Sequence, residues 1–327
     1  MHLTANLTAY LQAKEQAGEA DADQVSVILG LAESAKKITH LVHRNGIAAD
    51  LGSDIGGTNS DGDSQKALDV RAEEIICSCL SGRGAAYLLS EEQEDPVPLN
   101  AGGSLLVAVD PLDGSSNISV NVTIGTIFSL LPAGERPAEN TLQPGRNQVG
   151  AGFFTYGPQT TLIFGLAGSD DIRCFVLDPD QGEFMEMQGE VRIPATTKEF
   201  AINSAYANHW YPPVQRWMAD VLQGENGPLG KSYRMRWVGS LVADAWRIFR
   251  RGGIFLYPGD SRPGNESGRL RLVYEANPVA FLAEKAGGSA SHGRGSVLDL
   301  VPDHLHQRVP LFFGAKEEVE RLEKEHQ

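Results

Sequence analysis

A run of five apolar residues, Leu105 to Val109, feeds directly into Asp110-Pro111-Leu112-Asp113-Gly114-Ser115-Ser116-Asn117. No other stretch narrows the possible folds as much. Leu-Leu-Val-Ala-Val has no polar face, so it suits a strand covered on both sides in a layered α/β protein. The polar segment then falls at that strand's carboxyl end, where open α/β sheets collect ligands. Pro111 lacks a donor N–H and is expected to end the ladder. Asp113 is then placed to open a helix or turn, leaving the N–H groups of Gly114, Ser115 and Ser116 to cradle a phosphate. Two carboxylates beside such a cradle are what a metal-bridged phosphate requires. Asp-Pro and Asp-Gly are also ordinary turn letters, with Asp113 as a plain N-cap. The whole segment in its strand-then-loop setting favours the functional reading.

The rest of the chain supplies layers around that strand. Val27, Ile28, Leu31, Ile38, Leu41 and Val42 recur at helical spacing within residues 24–45, with Gly46 as a stop. Ala67–Leu80 also reads as helix. Strands are expected at Ala85–Leu89, Thr123–Leu131, Gly150–Phe154, Thr160–Leu166, Cys174–Leu177 and Glu183–Met187. Polar residues at Ala195–Glu199 mark a boundary. Beyond it lie strands Phe200–Asn203 and Gly253–Tyr257 and helices Pro212–Leu222, Leu241–Arg250 and Pro278–Ala286. Gly52–Ser64 (GSDIGGTNSDGDS) has no face to bury and is expected to be a mobile loop. Alternating helices and strands in two halves point to a layered α/β fold.

Charge and cysteine content exclude several functions. Asp and Glu number 42 against 28 Lys and Arg, a formal net charge of −14. Nucleic acid and anionic lipid are therefore not expected partners, since both need basic groups to displace counterions. A negative substrate would need a local cationic site, from metal or from aimed arginines. The N-terminus does not read as a secretory signal, and no apolar run reaches the ~20 residues of a membrane helix. The odd set Cys77, Cys79 and Cys174 suits reduced thiols in the cytoplasm. Read alone, Glu91-Glu92 is a solvated surface pair, but it follows the apolar stretch Ala85–Leu89. That lets it share a cleft with Asp110, where magnesium would find oxygen ligands. Read alone, Glu275 is a surface charge, and Tyr206 and Tyr257 are core aromatics. Arg269 and Arg271 lie two apart on an apparent strand, Leu270–Tyr274, facing one side.

SEE…VDPLDGSSNI, LQPGRN at Leu142–Asn147, WVGSLVAD at Trp237–Asp244, GGIFLYP at Gly252–Pro258, RLRLVYEANP at Arg269–Pro278 and EKAGG at Glu284–Gly288 occur together. In that combination the chain resembles class I fructose-1,6-bisphosphatase from about residue 46 to 310. The DPLDGSS element alone reaches only the wider superfamily of lithium-sensitive phosphatases. The resemblance implies an α/β/α/β/α sandwich of the sugar-phosphatase type with mixed sheets, in two subdomains, 1–195 (with the mobile loop 52–64) and 196–327. It implies two or three magnesium ions per subunit, replaceable by manganese, held by Glu91, Asp110, Asp113, Glu275 and the Leu112 carbonyl. Asp63 is implied to join on loop closure. Asp69 and Glu92 match the acids that orient and deprotonate the attacking water. Ser115, Ser116 and Arg271, with Gly114, match the groups holding the phosphate that is cleaved.

Asn203, Tyr206, Arg236 and Tyr257 match the family's pocket for the distal phosphate, Arg236 coming from a neighbouring subunit of a homotetramer. Two departures fall here. Trp237 stands where a tyrosine is common, and Arg269 replaces a lysine, turning a point donor into a planar fork. The implied activity is release of the 1-phosphate of fructose 1,6-bisphosphate. The altered pocket keeps a dual enzyme, also taking sedoheptulose 1,7-bisphosphate, in view. An inositol-phosphate phosphatase and an inactive sugar-phosphate sensor fit the motifs less well. The family's AMP site aligns with Ala22–Val25, Ser104, Leu105 and Pro132, which lack its hydroxyl, cation, aromatic and arginine. Inhibition by AMP is therefore not expected.

Overall fold

The computed structural model describes residues 5–44, 54–58 and 64–327. Helix α1 spans Leu7–Gln16 and α2 Ala22–His43. A capping box starts α2: the Asp21 side chain accepts from Gln24 N, and the Gln24 side chain accepts from Asp21 N. Gly46 and Asp63 lie outside the described residues. What is described of the expected loop includes a short, irregular ladder. β1 (Asp54–Thr58) and β2 (Ser64–Lys66) pair antiparallel, Asp54 opposite Lys66 and Thr58 opposite Ser64. A two-stranded ladder satisfies backbone groups without needing a hydrophobic face, so the composition alone did not reveal it.

After α3 (Ala67–Leu80) comes a mixed eight-stranded sheet. Its strands are β3 (Ala85–Ser90), β4 (Val97–Pro98), β5 (Leu105–Asp113), β6 (Ile124–Pro132), β7 (Gly150–Tyr156), β8 (Thr160–Leu166), β9 (Ile172–Asp178) and β10 (Glu183–Glu186). Their order is β10-β9-β8-β7-β6-β5-β3-β4, parallel only between β3 and β5. A five-stranded sheet follows, in order β12-β11-β13-β17-β15. It is built from β11 (Glu199–Ala201), β12 (Arg234–Met235), β13 (Ile254–Tyr257), β15 (Ser289–Ser291) and β17 (Leu311–Gly314). Helices α4 (Pro212–Leu222), α5 (Leu241–Arg251), α6 (Asn277–Lys285) and α7 (Lys316–Glu325) complete the chain, with a small ladder of β14 (Leu270–Arg271) on β16 (Arg308–Val309).

Strand alternation distributes the apolar residues among separate cores. Phe154, Leu162 and Phe164 face α1, α2 and α3, while their neighbours Phe153 and Ile163 face α5 and α6. In the second sheet, Phe255 and Phe313 face that same central helix layer, and Ile254, Leu256 and Phe312 face α4 and α7. Five layers result, α/β/α/β/α, with α5 and α6 sandwiched between the sheets.

Two local expectations are corrected. Pro111 does not end the ladder: β5 continues to Asp113, through an irregularity between Asp110 and Asp113. There the missing proline donor costs no pairing, and the Pro111 carbonyl accepts from Thr126 Oγ1 at 2.8 Å. Second, Leu270–Tyr274 is not one strand. β14 stops at Arg271, and Leu272–Ala276 forms a single π-helical turn. Arg271 is buried while Arg269, just before β14, is exposed, so the two differ in environment.

Candidate active site

β5 carries Asp110 and Asp113 to its end as buried residues, and the π turn after β14 buries Glu275 beside them. Carboxylate oxygens of all three lie within 4.8 Å of one another. The isolated reading of Glu275 as a surface charge is thus overturned. A π turn, often found at functional sites, shifts side chains off a regular helix's faces, which period counting does not register. Glu91 follows β3, the parallel neighbour of β5, and its N–H donates to the Val109 carbonyl at 3.0 Å.

Each acid is held by specific donors. Asp110 Oδ1 accepts from Leu112 N at 2.9 Å. Glu275 Oε2 accepts from Arg271 N at 2.6 Å, and Arg271 Nη2 lies 3.4 Å from Glu91 Oε1. Asp113 does not cap the turn that follows it. Gly114, left-handed at φ 78°, occupies that position before a short 3-10 turn, Ser115–Val120. Its backbone conformation favours glycine, and a Cβ there would also press within 3.1 Å of Ser240. Asp113 instead serves the start of α5: its Oδ2 accepts from Val242 N at 2.8 Å and Ser240 Oγ at 3.1 Å. A carboxylate at a helix N-terminus also gains from the helix dipole.

Crowding raises the proton affinity of these acids. Burial first, then Glu275, pushes the Glu91 carboxyl well above the usual range, with Arg271 opposing. Burial and Glu91 do the same to Asp110. Burial lifts Asp113 to about 6 despite its bonds to Val242 and Ser240, and lifts Glu275 to about 7 against the pull of Arg271. Arg271 and Arg308 oppose that rise at Glu275, yet burial still prevails. An all-oxygen, carboxylate-rich donor set fits a hard divalent cation such as Mg²⁺, whose binding would favour the ionised forms.

Two further expected acids lie nearby in the chain. Asp69 is buried on α3, which packs against the face of β5, and Glu92 follows Glu91, its N–H donating to Ser90 Oγ at 3.3 Å. Ser115 is half-buried and Ser116 exposed at the turn after Gly114. Across the second sheet, Asn203, Tyr206, Trp237 and Tyr257 line one pocket with Trp210, Asp260 and Arg262. Trp237 stacks on Phe255 with ring centroids 5.7 Å apart at 18°, which seats the indole as a wall. Arg236 is not in that lining. It is exposed beside the edge strand β12.

The sequence reading missed Ser240 and Val242 as holders of Asp113, because only tertiary packing brings α5 to β5. It also missed Asp260 and Arg262, which sit among turn residues (Gly259–Gly264) where no periodicity applies. LQPGRN and EKAGG prove to be joined: Arg146 bonds Glu284 at 2.5 Å and Asp299 at 2.7 Å.

Comparison with known proteins agrees across the chain. A family model described as "Fructose-1-6-bisphosphatase, N-terminal domain" matches residues 6–189, and its C-terminal counterpart matches residues 193–327. The chain is 51% identical over 297 residues to "Fructose-1,6-bisphosphatase class 1" of Azorhizobium caulinodans, covering 89% of this chain and 90% of that protein. It is 47% identical over 327 residues to the protein of that name from Sinorhizobium medicae, covering 98% and 93%. A crystal structure of Leishmania major fructose-1,6-bisphosphatase in holo form superposes with a TM-score of 0.88 at 30% identity, covering 98% of each chain. With both halves matched and half the residues identical over nearly the whole length, the chain belongs to the class 1 fructose-1,6-bisphosphatase family.

Proposed function

We propose that this protein hydrolyses the 1-phosphate of fructose 1,6-bisphosphate to fructose 6-phosphate and inorganic phosphate, using divalent metal. It is a phosphoric monoester hydrolase. The observation that carries the metal-dependent reading is the buried triad of Asp110, Asp113 and Glu275. Glu91, Asp110, Asp113, Glu275 and the Leu112 carbonyl would hold two or three magnesium ions, and Asp63 would join them. When bound, magnesium spreads the charge of the transferring phosphoryl group and makes bound water a better nucleophile.

The chain's own groups do the rest. Ser115, Ser116, Gly114 and Arg271 hold the phosphate that leaves. Glu92 and Asp69 orient a water and accept its proton. The water oxygen bonds to phosphorus as the bond from phosphorus to the C1 oxygen breaks, and that oxygen takes a proton from solvent, to which Glu92 or Asp69 returns the one it accepted. Asn203, Tyr206, Tyr257, Trp237 and Arg269 receive the distal phosphate. Arg236 adds a charge from a neighbouring subunit of a homotetramer. Its exposure, beside the unpaired edge of β12 and the exposed apolar Met235 and Val238, supports such an interface. Subdomain 1–195 contributes most of the metal end, and subdomain 196–327 contributes the distal end together with Glu275 and Arg271 of the metal end. Three free cysteines support a cytoplasmic setting, and no helix among the described residues is long and apolar enough to cross a membrane.

The indole wall of Trp237 supports a second reading, a dual enzyme that also takes sedoheptulose 1,7-bisphosphate. Phosphate release with and without magnesium, measured on both sugars and on inositol 1-phosphate, tests the proposal. Hydrolysis confined to inositol phosphate, or equal rates after thorough chelation, overturns it.

A further inference from the structure

Among the residues around the distal pocket, Arg262 has no part in the motifs and no assigned role. Its guanidinium carbon lies over the ring of Tyr206, a residue of the pocket wall, 3.4 Å from the centroid. Its Nε approaches Asp260 Oδ1 at 2.9 Å and Oδ2 at 3.1 Å, and its Nη2 approaches Oδ2 at 2.7 Å. The guanidinium is therefore fixed twice, by a forked carboxylate contact and by stacking on an aromatic face. Its own N–H adds a third tie, donating to Asp260 Oδ1 at 2.9 Å. Asp260 is nearly fully buried, and the Arg262 side chain is only one-fifth exposed.

A buried carboxylate in the lining of a phosphate pocket is electrostatically wrong unless it is neutralised. Arg262 neutralises it, and the pair holds the Asp260 carboxyl below its ordinary proton affinity. The fork uses the Nε and Nη2 edge, so Asp260 does not consume the Nη1 donors. A planar guanidinium anchored along one edge is the arrangement that presents its remaining donors to phosphate oxygens in a fixed direction. By contrast Arg269, which matches the family's lysine, is exposed and has no comparable anchored contact with a carboxylate among the described residues.

We infer that Arg262 is a specificity-determining residue, contacting the distal phosphate and thereby favouring bisphosphorylated sugars over monophosphorylated ones. Asp260 is its positioning residue. The inference rests on the proposed function, since it needs a substrate with a phosphate at each end.

The test compares wild type with Arg262→Gln and Arg262→Lys on two substrates, fructose 1,6-bisphosphate and fructose 1-phosphate, at saturating magnesium. The second substrate has the phosphate to be cleaved but lacks the distal one. For the bisphosphate, Arg262→Gln should raise KM by tenfold or more with kcat within about twofold. This is the loss expected when one charge-assisted contact made equally in ground and transition states is removed. For fructose 1-phosphate, kcat/KM should be unchanged, and Arg262→Lys should recover only part of the bisphosphate loss. A fall of the same size on both substrates would assign Arg262 to folding alone and overturn the inference, as would an unchanged KM for the bisphosphate. Asp260→Asn combined with Arg262→Gln removes the uncompensated buried charge. Should Arg262→Gln not fold, this double variant reads out the same KM split. Failure of the wild type itself to prefer the bisphosphate would refute the proposed function instead, so the two failures are distinguishable.

Discussion

Asp113→Asn separates the charge of the metal site from its geometry. An asparagine oxygen still accepts from Ser240 Oγ and Val242 N, so the start of α5 keeps its partners. What disappears is a carboxylate whose pKa burial has raised from 3.8 to about 6. The folded-state pKa lies above the unfolded one, so ionisation costs stability. The cost is absent below about pH 4, grows as pH rises, and is complete above about pH 6. Roughly two units correspond to about 3 kcal/mol. Without metal at pH 8, Asp113→Asn should therefore melt higher than wild type, by about 5 °C at this chain length. At pH 4 the two should melt together. Magnesium should raise the wild-type Tm, because it binds only the folded chain, and leave the variant nearly unmoved. Phosphate release should fall by about 10² to 10³, the effect of removing one fixed charge from a transition-state site. Thermal melts in chelator and in magnesium at both pH values, beside a phosphate assay, read all four outcomes. A variant that melts below wild type at pH 8 in chelator would refute the charge argument. Equal magnesium stabilisation of both proteins would remove Asp113 from the metal site.

Further outcomes follow from the same groups. Glu275, lifted to about 7 by burial, adds to the same trend. Metal-free wild type should lose several kcal/mol of stability between pH 5 and pH 8, and chemical denaturation at the two pH values checks it. Mixing inactive Asp113→Asn chains with Arg236→Ala chains should restore part of the activity in hybrid oligomers. Hybrids that form, verified by mass, yet stay inactive would place Arg236 in its own chain's function. AMP should not inhibit. Ser104 N and Oγ both donate to Asp23 at the start of α2, and the capping box of Asp21 and Gln24 occupies that turn's polar groups. Cooperative inhibition by micromolar AMP would show that another surface takes the nucleotide.

Local pattern carried the layers well where a segment repeats one periodicity. Helix α4 starts and ends where Pro212–Leu222 was expected, and α3 matches Ala67–Leu80. β5 was legible because no polar residue interrupts Leu105–Val109. The elements that escaped are those without a period of their own. β12, β14 and β16 are two-residue strands whose pairing, not composition, makes them strands. The π turn of Leu272–Ala276 reads as strand letters because its leucine, valine and tyrosine are buried on all sides. At the site, the acids of the DPLDGSS segment were visible as a motif. Their true partners were not: Ser240 lies 127 residues from Asp113 in the chain. The burial of Glu275 likewise depends on the π turn, whose letters read as strand, and on β5, which is remote in sequence.

The contacts of Asp113 also bear on how the two ends of the site are spaced. Ser240 and Val242, which hold Asp113, belong to the turn that starts α5. One helical turn on, the buried Asp244 accepts from Val238 N at 3.0 Å and Gly239 N at 3.3 Å. Those residues directly follow Trp237, a wall of the proposed distal pocket. A proposed metal-site acid and a pocket wall are thus fixed by opposite sides of the same few residues. α5 itself is clamped in the central layer by Ile248 and Phe249. The span between the two proposed ends is accordingly set by the contacts at the start of α5. In the proposed reaction a seven-carbon sugar bisphosphate must then be accommodated by side chains at the distal end, where Trp237 and the anchored Arg262 depart from or add to the family's motifs. Replacing Trp237 with tyrosine should change the ratio of kcat/KM between the two bisphosphates while leaving magnesium dependence unaltered. A changed magnesium requirement with an unchanged substrate ratio would mean that the turn transmits strain to Asp113 instead of holding the span.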